Sequence, residues 1–185
     1  MKTIHIRHTK FQSGMTLIEA SVWFVMFALV IAGAMKLYSS VVTSQTVAVI
    51  TADVMLIRSS TQQIENASGS YGTPGADLIP SLVNANKIPS SIQVTAGTPY
   101  VLTNEQRGTI TVFANGPIAS GDSFVITEYG LSVDVCVGLA SAMALQNFST
   151  IVINSVTFTP GSSISPTSAS AACVSPKQYI AFTSN

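Results

Sequence analysis

Residues 10–36 read KFQSGMTLIEASVWFVMFALVIAGAMK, and this stretch decides how the rest of the chain is organised. No charged residue occurs from position 20 to position 35. Extended back to Met15, the apolar run is about 21 residues long, enough for a helix to cross a hydrocarbon layer of roughly 30 Å. The run is apolar around its whole circumference and follows a basic leader, which favours a membrane span over a buried helix of a soluble core. The leader should stay cytoplasmic, so the C-terminal part is expected outside.

The whole chain of 185 residues is poor in charge. It has 8 lysines and arginines against 8 acids, a formal net charge of zero and 47% hydrophobic residues. Lys2, Arg7 and Lys10 lie in the first fourteen residues, together with both histidines. This composition argues against a disordered tail and against a nucleic-acid-binding surface, because both need charge. Length and the single apolar run together predict one membrane segment and one soluble domain.

The position of Gly14 distinguishes this leader from an ordinary secretory signal. In such a signal a small-residue cleavage site follows the apolar region, whereas here the candidate glycine precedes it. A short basic leader, a glycine, a hydrophobic residue and a glutamate five positions after the glycine resemble the class III leader of type IV prepilins. The resemblance implies that a membrane enzyme, the prepilin peptidase, removes residues 1–14 by cutting after Gly14 and N-methylates Met15.

Glu19 needs a physical explanation, because a carboxylate one turn inside an apolar helix costs about 2.5–3.5 kcal/mol on insertion scales. One interpretation places it in the first helical turn, where the helix dipole favours an acid and the side chain reaches the interface. That interpretation leaves the surrounding Gly-Met-Thr-Leu-Ile-Glu motif unexplained. The resemblance to prepilins implies instead that Glu19 pairs with the N-terminal amine of a neighbouring subunit and directs assembly.

Residues 37–67 are expected to continue the helix in an amphipathic form, beyond a transmembrane half at residues 15–36. Apolar residues recur at intervals of three, four or their sums, which suits one face packed against a soluble domain. The members expected on this face are Leu37, Val41, Ala48, Val54, Ile57 and Ile64. The helix is expected to end near Ala67, where a glycine- and proline-rich stretch begins.

Residues 68–185 predict a globular head, so that the chain as a whole belongs to the α+β class. Short runs with alternating apolar or β-branched residues indicate strands at positions 109–115, 123–128, 150–159 and 178–183. Residues 131–145 predict a helix, residues 78–85 a weaker one, and residues 160–172 a loop rich in Pro, Ser and Thr. The expected fold is a long N-terminal helix packed on a mainly antiparallel β-sheet.

Cys136 and Cys173 are the two cysteines of the chain. An exported head predicts a disulfide between them, which in the chain-entropy model stabilises the fold by about 4 kcal/mol. A metal site would need further ligands and thiol catalysis would need a base, so both alternatives are weaker. The bridge would join the helix around Cys136 to the segment before the last strand.

The sequence of the head restricts the resemblance to one branch of the type IV pilins. The sequence FVITEYGLSVDVC at residues 124–136, a later strand, the Ala172-Cys173 pair and a terminal strand look similar to type IVb pilins. That branch includes toxin-coregulated pilin, bundlin and the thin-pilus pilins of conjugative plasmids. Met15 as the first mature residue and a relatively large head also favour the type IVb branch.

The chain carries no pattern typical of an enzyme or of a cofactor site. After cleavage behind Gly14 no histidine remains, which removes the usual general base and the commonest metal ligand. No phosphate-binding glycine loop occurs. The scattered acids show neither a paired motif nor calcium-loop spacing, and we expect each of them to be solvated at the surface. These acids are Asp53, Asp77, Asp122, Glu128 and Asp134.

The residues and the resemblance together predict a structural subunit of a type IVb pilus, made as an inner-membrane precursor and assembled into an extracellular filament. Its partners would be copies of itself, the prepilin peptidase and the inner-membrane assembly machinery, without direct binding to nucleic acid. The filament surface would serve adhesion, aggregation or conjugative contact. Two alternatives stay open: a type II secretion pseudopilin or minor pilin, which shares the leader, and a single-pass membrane-anchored binding module that keeps it.

Overall fold

The computed structural model describes residues 16–68, 70–116, 123–159, 164–174 and 178–185. The first element is helix α1, Leu17–Ser68, which is 52 residues long. The chain divides into two compact units, Met1–Ser40 and Val41–Asn185, and α1 contributes to both. The helix ends close to Ala67 as the sequence predicts, because glycines and a proline follow and cannot continue it.

The second unit adds three short helices and seven strands in its described part. The helices are α2 (Ile79–Asn84), α3 (Val133–Met143) and α4 (Pro166–Ala172). The strands are β1 (Gln93–Thr95), β2 (Val101–Thr103), β3 (Thr109–Asn115), β4 (Ser123–Leu131), β5 (Thr150–Ile153), β6 (Val156–Phe158) and β7 (Gln178–Ser184). Helices α2 and α3 confirm the two helices predicted in the head.

The seven strands form one antiparallel sheet in the order β1-β2-β3-β4-β7-β5-β6. Strand β4 lies at the centre and pairs with β3 on one side and with β7 on the other. Alternate residues of β3 and β7 are buried, so one face of the sheet is directed to the core. The predicted α+β class with a mainly antiparallel sheet is confirmed.

The second half of α1 packs into the same core through one face. Its buried residues include Ile50, Val54, Ile57 and Thr61, which follow one another at steps of four, three and four. Among the apolar residues expected on this face, Val54, Ile57 and Ile64 do pack against the core. The expectation is wrong for Leu37, Val41 and Ala48, which are exposed. The packed face begins instead with Val47, because β-branched residues occur on several sides of the helix and obscure its phase.

Two predicted segments of the head fold differently from the expectation. Residues 150–159 form a hairpin of β5 and β6 rather than one strand, because Asn154 adopts a left-handed φ of 52° at the turn. Residues 160–172 are not only a loop, since α4 buries Ala169 and Ala172 in the core. Strands β1 and β2 are not predicted by the sequence, because three residues are too few to establish a period of two.

Candidate assembly site

The first half of α1 has an apolar surface that the described part of the chain leaves uncovered. An 18-residue window of this helix has a mean hydropathy of 2.1, and none of that window is buried. Leu17 is 90% exposed, Trp23 65% and Phe24 75%. The helix is long and apolar enough to cross a membrane. An apolar surface of this extent is unfavourable in water, so it requires lipid or the apolar helices of other chains.

Glu19 lies in the first turn of α1 and is the only charged residue from position 16 to position 35. A backbone hydrogen bond of 3.1 Å from the Ala20 amide to the Thr16 carbonyl forms this turn. The Glu19 side chain is exposed, and no residue in the described ranges forms an ion pair with it. The helix dipole favours an acid here, but in apolar surroundings the carboxylate still needs a cation from elsewhere.

Cys136 and Cys173 form a disulfide, with 6.1 Å between their Cα atoms. The bond joins α3 to the C-terminal end of α4, where Cys173 follows Ala172. Both cysteines are fully buried. The predicted bridge is confirmed, and because its sulfurs are shielded from soluble thiols it is typical of a structural disulfide.

Two buried carboxyl groups, one on strand β4 and one on helix α1, each accept a hydrogen bond from a side chain of a loop or turn. Glu128 on β4 has no exposed surface, and its Oε2 accepts a 2.9 Å hydrogen bond from Asn104 Nδ2. Its Oε1 has no hydrogen-bond partner among the described residues. Asp53 on α1 is 5% exposed and accepts a hydrogen bond from the Ser91 hydroxyl. The expectation that Asp53 and Glu128 are solvated is therefore wrong.

Burial changes the acidity of both carboxyl groups. It raises the pKa of Glu128 to about 7, although the hydrogen bond from Asn104 acts in the opposite direction. The negative charge of Asp53 raises the pKa of Glu128 further. Burial also raises the pKa of Asp53, partly offset by the Ser91 hydroxyl and reinforced by the charge of Glu105.

The remaining acids of the scattered set fall into three cases. Asp134 is exposed as expected. Asp77 is half-buried, and its Oδ1 accepts a 3.0 Å hydrogen bond from the Ile79 amide at the start of α2. Asp122 lies outside the described residues. Within the described ranges, no group of three or more His, Cys, Asp or Glu side chains is arranged to hold a metal ion.

Asn104 holds the turn between β2 and β3 against β4. Its Nδ2 also donates to the Tyr129 carbonyl at 3.1 Å, while its Oδ1 accepts from the amides of Gln106 and Gly108. Gly108 lies so close to Tyr129 that an added Cβ atom would come within 1.7 Å of the carbonyl oxygen. The turn therefore depends on a glycine at position 108 and on both ends of the Asn104 amide.

Arg58 connects α1 to the end of the last strand. Its Nε donates to Ser184 Oγ at 2.8 Å, and its Nη2 donates to the Asn147 carbonyl at 2.6 Å. The guanidinium carbon lies 4.7 Å from the centre of the Phe148 ring, within the range of a cation–π contact. Through these contacts a single cation fixes β7 and the loop before β5 to the helix, and no acid of the described residues is among its partners.

With this geometry established, the sequence profile described as PilS N terminal matches residues 44–185. The chain belongs to the PilS N-terminal family. Because the match begins at residue 44, it is carried by the helix face and the head, and it is independent of the leader motif at Gly14. Among curated proteins, no sequence matches the chain.

Two solved pilin structures are similar to this chain. The pilin is similar to TcpA, a type IV pilin of the Vibrio cholerae El Tor biotype, with a TM-score of 0.56 and 15% identity over 76% of this chain and 99% of that one. A type IV b pilin from Salmonella typhi has a TM-score of 0.49 and 20% identity over 76% and 94% of the two chains. The likeness to TcpA shows a shared fold, and together with the family it confirms the resemblance to type IVb pilins.

Of the assembly-site residues predicted from the sequence, the structure describes one, Glu19. Gly14 and Met15 lie outside the described residues, so cleavage and N-methylation stay predictions. Glu19 lies at the start of α1, but the described chain does not contain the amine with which it is predicted to pair. No sequence pattern singles out Asn104, because its contacts are distant along the chain. Glu128 could have been found from the sequence, since a period of two places it on the same strand face as the apolar residues at 124 and 126.

Proposed function

We propose that this pilin is the structural subunit of a type IVb pilus and that it polymerises through the first half of α1. One observation supports this most directly: an uncovered apolar helix carries a single carboxylate, Glu19, in its first turn. Lipid satisfies the apolar surface of such a helix but leaves the carboxylate without a counter-charge. A bundle of identical helices satisfies both, provided that each copy also supplies a cation.

Processing of the leader supplies that cation. We propose that the prepilin peptidase cuts after Gly14 and N-methylates the new amino group of Met15. This amine is positive at neutral pH and precedes Glu19 by four residues in the sequence, so a neighbouring copy displaced along the helix axis by about one turn can bring the two together. Removal of residues 1–14 also deletes Lys2, Arg7 and Lys10, the charges that hold the leader on the cytoplasmic side.

The assembled filament places the parts of the chain in different surroundings. Residues 15–36 form the apolar core of the filament, residues 37–67 join that core to the head, and residues 68–185 form its outer surface. The precursor is anchored in the inner membrane. Separate assembly machinery extracts it from there into the growing extracellular pilus. The surface heads make the contacts required for adhesion, aggregation or conjugative mating.

The proposal is tested on surface filaments sheared from cells. Mass spectrometry of the filament protein should give a chain that begins at N-methylated Met15, and gold-labelled antibodies to the head should decorate the filaments along their length. A functional protein that still begins at Met1 would point to a membrane-anchored binding module. A processed protein without long filaments would point to a secretion pseudopilin.

A further inference from the structure

Glu128 occupies a position at which an ionised carboxylate is strongly disfavoured. It lies on the central strand β4, directly opposite Ile110 on β3 and Ile180 on β7, and it has no exposed surface. One carboxyl oxygen accepts from Asn104, and the other has no partner among the described residues. A charge removed from water in this way is costly unless a cation compensates it, and a carboxyl group in such a site keeps its proton.

The charged groups around Glu128 do not supply that cation. From α1 the negative charge of Asp53 acts on Glu128 and opposes its ionisation. From the turn, Glu105 acts in the same sense on Asp53, and Arg107 lines the adjacent surface groove without an ion pair to Glu128 in the described chain. The strand neighbours are apolar, and Asp134 on α3 is exposed. The charge of Asp53 therefore favours the neutral form of Glu128.

The same carboxyl group is connected to the backbone of a turn through one side chain. Asn104 donates to Glu128 and to the Tyr129 carbonyl, and it accepts from the amides of Gln106 and Gly108. A change in the charge of Glu128 therefore acts directly on residues 104–108 and on the part of β4 that they cover. With a pKa of about 7, this change falls within the range of ordinary external media.

We propose that the pilin head is proton-dependent: a proton on Glu128 stabilises the folded packing around strand β4, and its loss destabilises that packing because the cost of burying the charge exceeds the gain from a stronger hydrogen bond with Asn104. The direction follows from linkage. Because the pKa of Glu128 in the folded head lies above its ordinary value of 4.5, the proton on Glu128 makes its full contribution to the free energy of unfolding below about pH 4.5. That contribution declines as the pH rises to about 7 and changes little above it. The head is thus most rigid in acidic medium and least rigid at neutral and alkaline pH.

Hydrogen exchange of the full-length pilin in detergent micelles tests this proposal. The exchange rates of the Gln106 and Gly108 amides are compared between the wild-type protein and Glu128→Gln at the same pH. The ratio of the two rates is then free of the intrinsic exchange rate and of the titration of Asp53. Protection in the wild type should fall relative to Glu128→Gln by about tenfold per pH unit from about pH 4.5 to 7 and then level off, roughly three-hundredfold in all. The variant Glu105→Gln, which alters an exposed carboxyl group of the same turn, should keep this pH dependence. A ratio that stays constant across this pH range would overturn the proposal.

Infrared spectroscopy provides a second measurement if Glu128→Gln fails to fold. At about pH 6 the exposed carboxyl groups are ionised, so a remaining protonated-acid carbonyl band reports a buried group. Both the wild type and Asp53→Asn should show this band at about pH 6 and lose it by about pH 8. Absence of the band from both proteins at about pH 6 would show that Glu128 is already ionised and would refute the proposed proton dependence of the head.

Discussion

Gly138 on α3 and Val47 on α1 are in such close contact that no side chain fits between them. A Cβ atom added to Gly138 would lie 2.7 Å from Val47 Cγ2 and 3.5 Å from Val47 Cγ1. Valine has a stiff χ1 angle, so its methyl groups cannot turn aside without moving the helix. By contrast, a Cβ atom added to Gly33 in the apolar half of α1 meets nothing within 4 Å.

The replacement Gly138→Ala should therefore destabilise the head by about 1–3 kcal/mol, because the clash outweighs the gain in helix propensity. Urea-dependent proteolysis of the full-length pilin in detergent measures this effect. Gly33→Ala is the matched control, since it makes the same change in a helix interior where space is open. Equal unfolding midpoints for Gly138→Ala and the wild type would contradict the close contact of α1 with α3.

Asn104→Ala should destabilise the head by about 2–4 kcal/mol, because it leaves the Tyr129 carbonyl and the amides of Gln106 and Gly108 without their partner. Asn115→Ala changes an exposed asparagine at the end of β3 and should have little effect. The same proteolysis measurement compares the two variants. If both variants lower stability equally, Asn104 does not organise the turn.

The double variant Cys136→Ala/Cys173→Ala should lower the stability of the head by about 4 kcal/mol, since the bond closes a sequence separation of 37 residues. In the native wild type, reductant should open the bond only at the rate at which the head unfolds, because both sulfurs are buried. Thiol labelling in reductant with and without urea measures both effects. Fast labelling without urea would show that the disulfide is accessible.

Much of the head could be predicted from the sequence wherever a short-range pattern determines the structure. Strand β3 has the predicted bounds because the buried residues Ile110, Val112 and Ala114 alternate with more exposed ones. The hairpin of β5 and β6 was missed because its β-branched residues continue across the turn, and only Asn154 indicates the reversal. The disulfide followed from the exported topology, since two cysteines leave one pairing.

The polar part of the structure depends on contacts that are distant in sequence, and these contacts limit prediction. Asn104 reaches Glu128 across 24 residues, and no local pattern identifies such a pair. The phase of the α1 face was partly wrong, because Val47 packs while Leu37 and Val41 are exposed. The assembly motif around Glu19 was recognisable because its residues are close in sequence, whereas its proposed partner belongs to another chain.

Glu19→Ala should abolish filaments while leaving the head folded and the precursor inserted in the membrane, because the lost carboxylate removes only the proposed contact between subunits. Glu19→Gln should fail as well, since a neutral amide does not compensate the charge of the Met15 amine. Ser21→Ala is the control, because the Ser21 hydroxyl donates to the Ile18 carbonyl of its own helix. Electron microscopy of sheared filaments and proteolysis of the head measure the two effects. Normal filaments from Glu19→Ala would exclude this role.

The central claim is that the lone acid of the apolar helix is neutralised by the amino terminus of an adjacent subunit. A high-resolution electron cryomicroscopy reconstruction of the native filament tests it most directly. We expect the Glu19 carboxylate within about 4 Å of the methylated Met15 nitrogen of a neighbouring copy, with density beginning at that residue. A reconstruction in which Glu19 lies far from every Met15 nitrogen, or in which residues 1–14 are still attached, would contradict the claim.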